Sequence, residues 1–209
     1  MTLFDTELAA YSAAYRLAMK NASAWIRISR LLLESGFYGQ AYSVVVTAYE
    51  EVGKAYISWL AGKEVIPLDD EMLELVYYKH EAKTLVSDLI SYEDALLLSL
   101  GSGILSTDDI LKELSVTSEE EALERLAVEA IEREDRRRSG MYVDVWEEEN
   151  GLLSVSSPFD ISEKQASDAI EEVENTHELV DSLLRLYEFH PPLVEILKKK
   201  YEERKKDYE

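Results

Sequence analysis

The sequence predicts a mainly α-helical protein, an up-and-down helical bundle into which a small β-hairpin is inserted. Three observations predict this fold class. Apolar residues recur every three or four positions over long stretches, which is the period of an amphipathic helix. One of these stretches is apolar on most of its sides, as is typical of a helix in the middle of a bundle. A single short region instead alternates apolar and polar residues, which is the period of a β-strand.

The predicted helices carry recognisable end signals. Gly36 follows the first helix and suits a C-terminal cap. Ser162 suits the N-terminal cap of the long helix after the hairpin, and Pro191 and Pro192 end that helix. The final helix is rich in charge. The predicted helices span about residues 3–34, 38–61, 69–91, 107–114, 119–138, 162–189 and 193–208.

The β-hairpin is predicted at residues 141–157. Residues 141–146 and 152–156 are rich in β-branched and aromatic side chains and alternate with polar ones. Asn150 and Gly151 lie between them and are a strong hairpin turn signal. The sequence therefore predicts two short strands within an otherwise helical chain.

The composition excludes several classes of function. The chain has 209 residues, of which 46% are hydrophobic, and this suits one domain spanning residues 1–209. It contains no cysteine, which excludes disulfides, thiolate catalysis and zinc–cysteine sites. The formal net charge of −21 opposes sequence-nonspecific binding of nucleic acid, although a local basic site stays open.

The N-terminus and the hydropathy pattern predict a cytoplasmic protein. Residues 1–10 include Asp5 and Glu7 and lack a basic region followed by an apolar run, so they do not resemble a secretory signal. No stretch of about 18 uncharged apolar residues occurs, so we expect no membrane span.

Two adjacent carboxylates, Glu50 and Glu51, lie in the otherwise apolar second helix. Adjacent helical residues point about 100° apart, so we expect only one of them to face into the bundle. Glu51 lies beside Ala48 and Ala55 on the main apolar stripe and is the predicted inward carboxylate. Glu50 is then expected to pair with Lys54 along the surface.

The third helix contains His80 and Lys83, which are three residues apart and share one face. A buried Glu51 would need a cationic or hydrogen-bonding partner, and either side chain could supply it. Tyr142 and Asp144 are predicted to lie close to this pair. Two interpretations stay open, namely a structural network that fixes the helix register and a polar site with a function.

An acidic segment, residues 119–134, precedes a basic island formed by Arg136, Arg137 and Arg138. We interpret both as solvated helix surface, since runs of charge are usually exposed. If RNA binds to this chain, two surfaces are the candidates. One is this arginine island, and the other is a face of the first helix that carries Arg16, Lys20, Arg27 and Arg30.

Three short motifs follow one another along the chain. They have the forms Glu-Glu-x-Gly-Lys, His-x-x-Lys and Gly-x-Tyr-Val-Asp, with the arginine island before the last. In this order and spacing, over roughly residues 20–180, the chain resembles the AbiV family of abortive-infection proteins in the HEPN helical superfamily. The matching residues are Glu50, Glu51, Gly53 and Lys54, then His80 and Lys83, and finally Gly140, Tyr142, Val143 and Asp144.

The resemblance implies a HEPN-like bundle that acts in phage defence or in a toxin–antitoxin system. Many HEPN proteins are metal-independent ribonucleases that work as dimers, with a histidine as general acid or base and an arginine that stabilises the phosphorane. Arg185 and His190 have the family's spacing of these two catalytic residues. However, a leucine follows Arg185, two prolines follow His190, and a separation of five does not place both on one helical face.

The expected partners follow from the same resemblance. They are RNA or the translation machinery, or a phage or antitoxin protein, with a homodimer as the expected assembly and no membrane partner. We predict no cofactor and no metal, because Glu174 and His177 supply only one half of a di-iron helix motif. The alternative function is a non-catalytic helical module that binds a partner protein or a small ligand through Glu51, His80, Tyr142 and Asp144.

Overall fold

A computed structural model of the chain describes residues 7–67, 86–87, 119–142, 144–147 and 153–208. Within these ranges the chain is mainly helical, as predicted, with one two-stranded antiparallel sheet. None of the described helices is both long enough and apolar enough to cross a membrane. The elements are α1 (Glu7–Glu34), α2 (Tyr38–Gly62), α3 (Glu119–Met141), β1 (Asp144–Glu147), β2 (Leu153–Ser156), a 3-10 turn (Pro158–Asp160), α4 (Glu163–Phe189) and α5 (Pro191–Tyr208).

The helix α2 lies at the centre of the bundle and contacts α1, α3 and α4. Its first half packs with Ile26 of α1 and Ile170 of α4, and its second half packs with Ala22 of α1 and Val180 of α4. This order of contacts makes α1 and α2 antiparallel. The nearly continuous apolar sequence of α2 follows from this position, because α2 has neighbours on several sides.

A tight turn joins α1 to α2. Gly36 has a φ of 80°, a left-handed conformation that glycine adopts without steric cost. The N–H of Phe37 donates to the carbonyl of Leu32 at 2.9 Å, and the N–H of Gly36 donates to the carbonyl of Leu33 at 3.0 Å. These two bonds form a Schellman motif, so the predicted cap at Gly36 is confirmed.

The strand predicted from residue 141 begins later, because α3 continues to Met141 and β1 begins at Asp144. Asp144 pairs with Ser156 and Glu147 pairs with Leu153 in the antiparallel register. The predicted turn at 150–151 lies outside the described residues. The last turn of α3 packs closely against the start of α2, and this contact accounts for the extra helical turn.

The remaining helix predictions have mixed outcomes. Ser162 caps α4 with a reciprocal pair of hydrogen bonds to Gln165, as predicted. The final helix begins at Pro191, earlier than predicted, since proline is well suited to the first turn of a helix. The predicted helix at 69–91 lies outside the described residues except for 86–87, which are helical, and the one at 107–114 lies wholly outside.

Candidate functional site

The inward carboxylate of α2 is Glu50, with 4% of its surface exposed, and the prediction that Glu51 has this position is wrong. Glu51 is partly exposed and pairs with Lys54, the partner that we expected for Glu50. The prediction took the stripe through Ala48 and Ala55 as the buried face of α2. Glu50 points away from that stripe, toward α3, and the face opposite the stripe is therefore buried as well.

The helix α3 supplies the second buried carboxylate, Glu134, of which 1% is exposed. Arg137 donates two hydrogen bonds to it, at 2.6 Å and 2.8 Å, and Arg138 donates a third at 3.0 Å. Nε of Arg137 also lies 3.9 Å from Oε1 of Glu50. We call Glu50, Glu134, Arg137 and Arg138 the carboxylate cluster.

The cluster balances two carboxylates with two guanidinium groups. The hydrogen bonds to Glu134 raise the pKa of Arg137, and the charges of Glu50 and Tyr142 act in the same direction. Buried charges of this kind are tolerated only when they are paired and hydrogen-bonded. The arrangement therefore ties α3 to α2 at a fixed register.

Two further contacts hold the region around Glu50. The guanidinium of Arg133 lies 4.6 Å from the centre of the Tyr49 ring, a cation–π contact, and also pairs with Glu172 of α4 at 3.0 Å. Ser87 donates to the carbonyl of Tyr49 at 2.7 Å. Because residue 87 belongs to the segment predicted as the third helix, that segment contacts α2 one residue before Glu50.

The glycine of the third motif has a packing role. A Cβ at Gly140 would overlap the hydroxyl of Ser43 and the carbonyl oxygen of Gly39. Ser43 donates to the carbonyl of Arg137 at 2.7 Å, across the same contact. The last turn of α3 therefore packs directly on the first turn of α2, and this contact requires a residue without a side chain.

The other predicted cluster residues fall in different places. Tyr142 follows the end of α3 and is 61% exposed, so it lies at the rim and not beside a buried Glu51. Asp144 begins β1 and pairs with Ser156 through the backbone. His80 and Lys83 lie outside the described residues, so the expected pairing of either side chain with a carboxylate of α2 remains a prediction.

The charged runs of α3 are partly internal, contrary to the prediction that both are solvated surface. Glu134 is buried and Arg137 is half-buried, whereas Arg136 is exposed and pairs with Glu132 at 3.2 Å. A sequence signal for this exception exists, because Glu134 lies three residues before Arg137 and four before Arg138, the spacings at which helical side chains meet. The acidic composition of the segment obscured it.

A polar cleft of about 580 Å³ lies beside the cluster, between α3, α4 and the hairpin. Its lining includes Tyr42, Arg133, Arg136, Ser156 and Gln165. Burial raises the pKa of the Tyr42 phenol. The hydroxyl of Ser156 is buried and has no hydrogen-bond partner in the described part of the chain.

The residues with HEPN ribonuclease spacing lie at the opposite end of α4. Arg185 is 70% exposed at its side chain and pairs with Asp181 at 2.8 Å. His190 is the C-terminal cap of α4, where its backbone N–H donates to the carbonyl of Leu186 at 2.9 Å, and its side chain is exposed. The pair between Arg185 and Asp181 lies along the surface of α4, where solvent weakens the interaction between the two charges.

Glu174 and His177 face α1. Glu174 pairs with Arg30, and Nε2 of His177 lies 2.9 Å from the hydroxyl of Ser23. Both residues therefore join α4 to α1. Within the described ranges, no group of three or more His, Asp or Glu side chains could hold a metal ion.

The fold agrees with the comparison to known families. Residues 10–178 match the profile of the AbiV family, which indicates an abortive-infection function of HEPN type. The match includes α1 from residue 10, all of α2, α3 and the hairpin, and α4 as far as residue 178. No curated protein and no solved structure matches the chain. Because the matching profile spans most of the sequence, the chain belongs to the AbiV family of HEPN helical proteins.

Proposed function

We propose that this protein is a phage-defence effector that acts by binding a partner protein, from the phage or from the translation machinery, and not by cleaving RNA. Family membership supports the role in abortive infection. The observation that carries the binding mode is the placement of the two residues that a HEPN ribonuclease would use. Arg185 lies on α4 five residues before His190, which caps the helix, and this separation does not put both side chains on one helical face. The net charge of −21 also favours a protein partner over RNA.

The carboxylate cluster fits the same proposal. Glu50 and Glu134 are almost fully buried, so a macromolecular substrate does not reach them. Their pairing with Arg137 and Arg138 stabilises the bundle and supports the surfaces around it. We therefore assign the family motif of α2 a structural role and place the interaction with the partner on the outside of the bundle.

A second candidate function is a HEPN-type ribonuclease that uses Arg185 and His190. Both side chains are exposed near the junction of α4 and α5, which leaves them accessible to a second copy of the chain. In that dimer, His190 would transfer a proton and Arg185 would stabilise the phosphorane. Exposure of both residues is the observation that keeps this candidate open.

The test compares phage plating on bacteria that express the wild type, Arg185→Ala, His190→Ala or the double variant. The binding proposal expects all four to protect equally, and the purified wild type to leave total bacterial RNA intact. If His190 were catalytic, its removal would instead lower the rate of RNA cleavage about a hundredfold or more. Loss of protection in both single variants, together with RNA cleavage by the wild type alone, would establish the ribonuclease and overturn the proposal.

A further inference from the structure

The outer face of α1 carries an exposed apolar stripe. Leu17, Ile28 and Leu31 are 64%, 39% and 63% exposed, although they belong to a helix whose other face is packed in the core. With Asn21 and Ala24 they recur at alternating intervals of four and three residues. This is the spacing with which one helix pairs along another. The stripe is about 21 Å long at a rise of 1.5 Å per residue.

A groove runs along the edge of this stripe where α1 meets α2. Its volume is about 610 Å³. Ala14, Ala18 and Ala24 contribute small side chains to its lining, and Leu17 is also part of it. Glu51 and Lys54 line it from α2, and their mutual ion pair leaves that side nearly neutral. Small residues along a groove allow the backbone of a second helix to approach closely.

Two cations without an ion pair also line the groove. Lys20 and Arg27 lie seven residues apart, both are exposed, and neither forms an ion pair with any residue of the described part of the chain. Their neighbours on α1 differ, because Arg30 pairs with Glu174 and Arg16 donates to Tyr15 at 3.3 Å. In a chain with a net charge of −21, two such cations beside exposed leucines form a distinct local surface.

The apolar stripe of α1 and the adjoining groove with Lys20 and Arg27 are together called the α1 groove. We propose that the α1 groove binds an acidic amphipathic helix of a partner protein. The apolar face of that helix covers Leu17, Ile28 and Leu31, and two carboxylates seven residues apart pair with Lys20 and Arg27. Leu17, Ile28 and Leu31 offer no contacts to phosphates, and the net charge of −21 opposes the approach of RNA, so a protein helix is the favoured occupant. The inference rests on the proposed function, since it names the class of partner and the surface that binds it.

A second copy of the chain is a poorer occupant. In an antiparallel pair of α1 helices, the same edge of each helix faces its own counterpart. Lys20 and Arg27 would then approach the same two residues of the other copy, and like charges repel. An acidic amphipathic helix pairs its carboxylates with Lys20 and Arg27 and covers the apolar stripe, so no like charges face each other.

The probe is a fluorescein-labelled 18-residue synthetic helix of about five turns. It has leucines at alternating three- and four-residue intervals and glutamates seven residues apart beside them. One control peptide has the same composition in scrambled order, and a second has lysines in place of the glutamates. Fluorescence anisotropy is measured with the full-length protein at about 0.15 M salt, where the Debye length of about 8 Å screens the remote negative charge.

Two variants remove the features that carry the proposal. Lys20→Glu with Arg27→Glu reverses the cations, and Leu17→Ser with Leu31→Ser removes the apolar stripe. The matched control for charge is Arg125→Glu with Lys164→Glu, which makes the same change in net charge at exposed cations of α3 and α4. All these positions are exposed, and circular dichroism melts verify that each variant is folded.

We expect the wild type to bind the acidic helix at least about tenfold more tightly than either control peptide. The affinity of both groove variants for the acidic peptide should be about tenfold or more below that of the wild type. The charge control should bind this peptide as tightly as the wild type does. Equal affinity for the scrambled peptide, or unchanged affinity in the charge-reversed variant, would overturn the inference. Light scattering supplies a further contrary outcome. If the wild type is a dimer and the variant Leu17→Ser with Leu31→Ser is a monomer, the groove is an interface between copies and the inference is overturned.

Phage plating of the same variants separates this inference from the proposed function. If the wild type gives no protection while the peptide data show the expected pattern, the proposed function fails and the α1 groove stands. If the wild type protects and the peptide data fail, the groove inference alone is overturned.

Discussion

Oε1 of Glu50 lies 3.9 Å from Nε of Arg137, and this approach joins the central helix α2 to the last turns of α3. Arg137 is at the same time the bidentate partner of Glu134. One guanidinium therefore lies against two carboxylates that are almost wholly removed from water. Removing one charge from this buried cluster lowers the free energy of unfolding more than removing one from a surface ion pair, because the charges that remain are still buried.

Arg137→Met should therefore destabilise the protein by about 3 kcal/mol, because Glu50 and Glu134 stay buried while the guanidinium between them is lost. Methionine keeps most of the apolar stem, and Arg138 remains as a cation for Glu134. Arg136→Met is the matched control, because Arg136 is exposed and its pair with Glu132 should contribute less than about 1 kcal/mol. Urea unfolding at neutral pH measures both. Equal losses in the two variants would show that the cluster does not stabilise the fold.

Glu50→Gln should lower the free energy of unfolding by about 1–3 kcal/mol, because it removes a buried charge that faces Arg137. Glu51→Gln should lower it by less than about 1 kcal/mol, since Glu51 and Lys54 are partly in contact with solvent. Thermal melts of the two variants provide the comparison. A larger loss for Glu51→Gln would restore the assignment that the sequence pattern favoured.

Gly140→Ala should destabilise the contact between α2 and α3 by about 1–3 kcal/mol, the usual cost of overpacking a closely packed site. The added methyl overlaps the backbone carbonyl of Gly39, which is not free to rotate away as a side chain is. Combining it with Ser43→Ala should therefore restore little stability. Full recovery in the double variant would mean that the hydroxyl of Ser43 is the only obstacle.

The protein should lose stability in alkaline solution through Tyr42. Burial raises the pKa of this phenol in the folded state above its ordinary value of 10.0. The stability that it contributes is complete below a pH of about 10 and is lost as the pH rises through the folded pKa, because the unfolded chain ionises first. We expect the free energy of unfolding to fall less between about pH 8 and pH 11 in Tyr42→Phe than in the wild type.

Denaturant titrations at the two pH values check this expectation. Tyr142→Phe, at an exposed phenol, serves as the control variant. Identical falls in the wild type and in Tyr42→Phe would show that ionisation of Tyr42 does not contribute to alkaline unfolding.

The apolar period of the sequence determined the helical class and the positions of α1, α2 and α4. Local end signals were equally informative, because Gly36 and Ser162 act through bonds within a few residues of themselves. The three ordered motifs indicated the AbiV family, and the family match over residues 10–178 confirmed it. These features depend on short-range geometry, which one sequence displays directly.

The tertiary structure decided which charged residues are internal. Glu50 and Glu51 are adjacent and chemically identical, and Glu50 is the buried one on the side of α2 where α3 packs. Glu134 is buried for the same reason, within a segment whose composition indicates an exposed surface. Burial of a charge depends on what a second element places against it, and the period of a single helix contains no information about that neighbour.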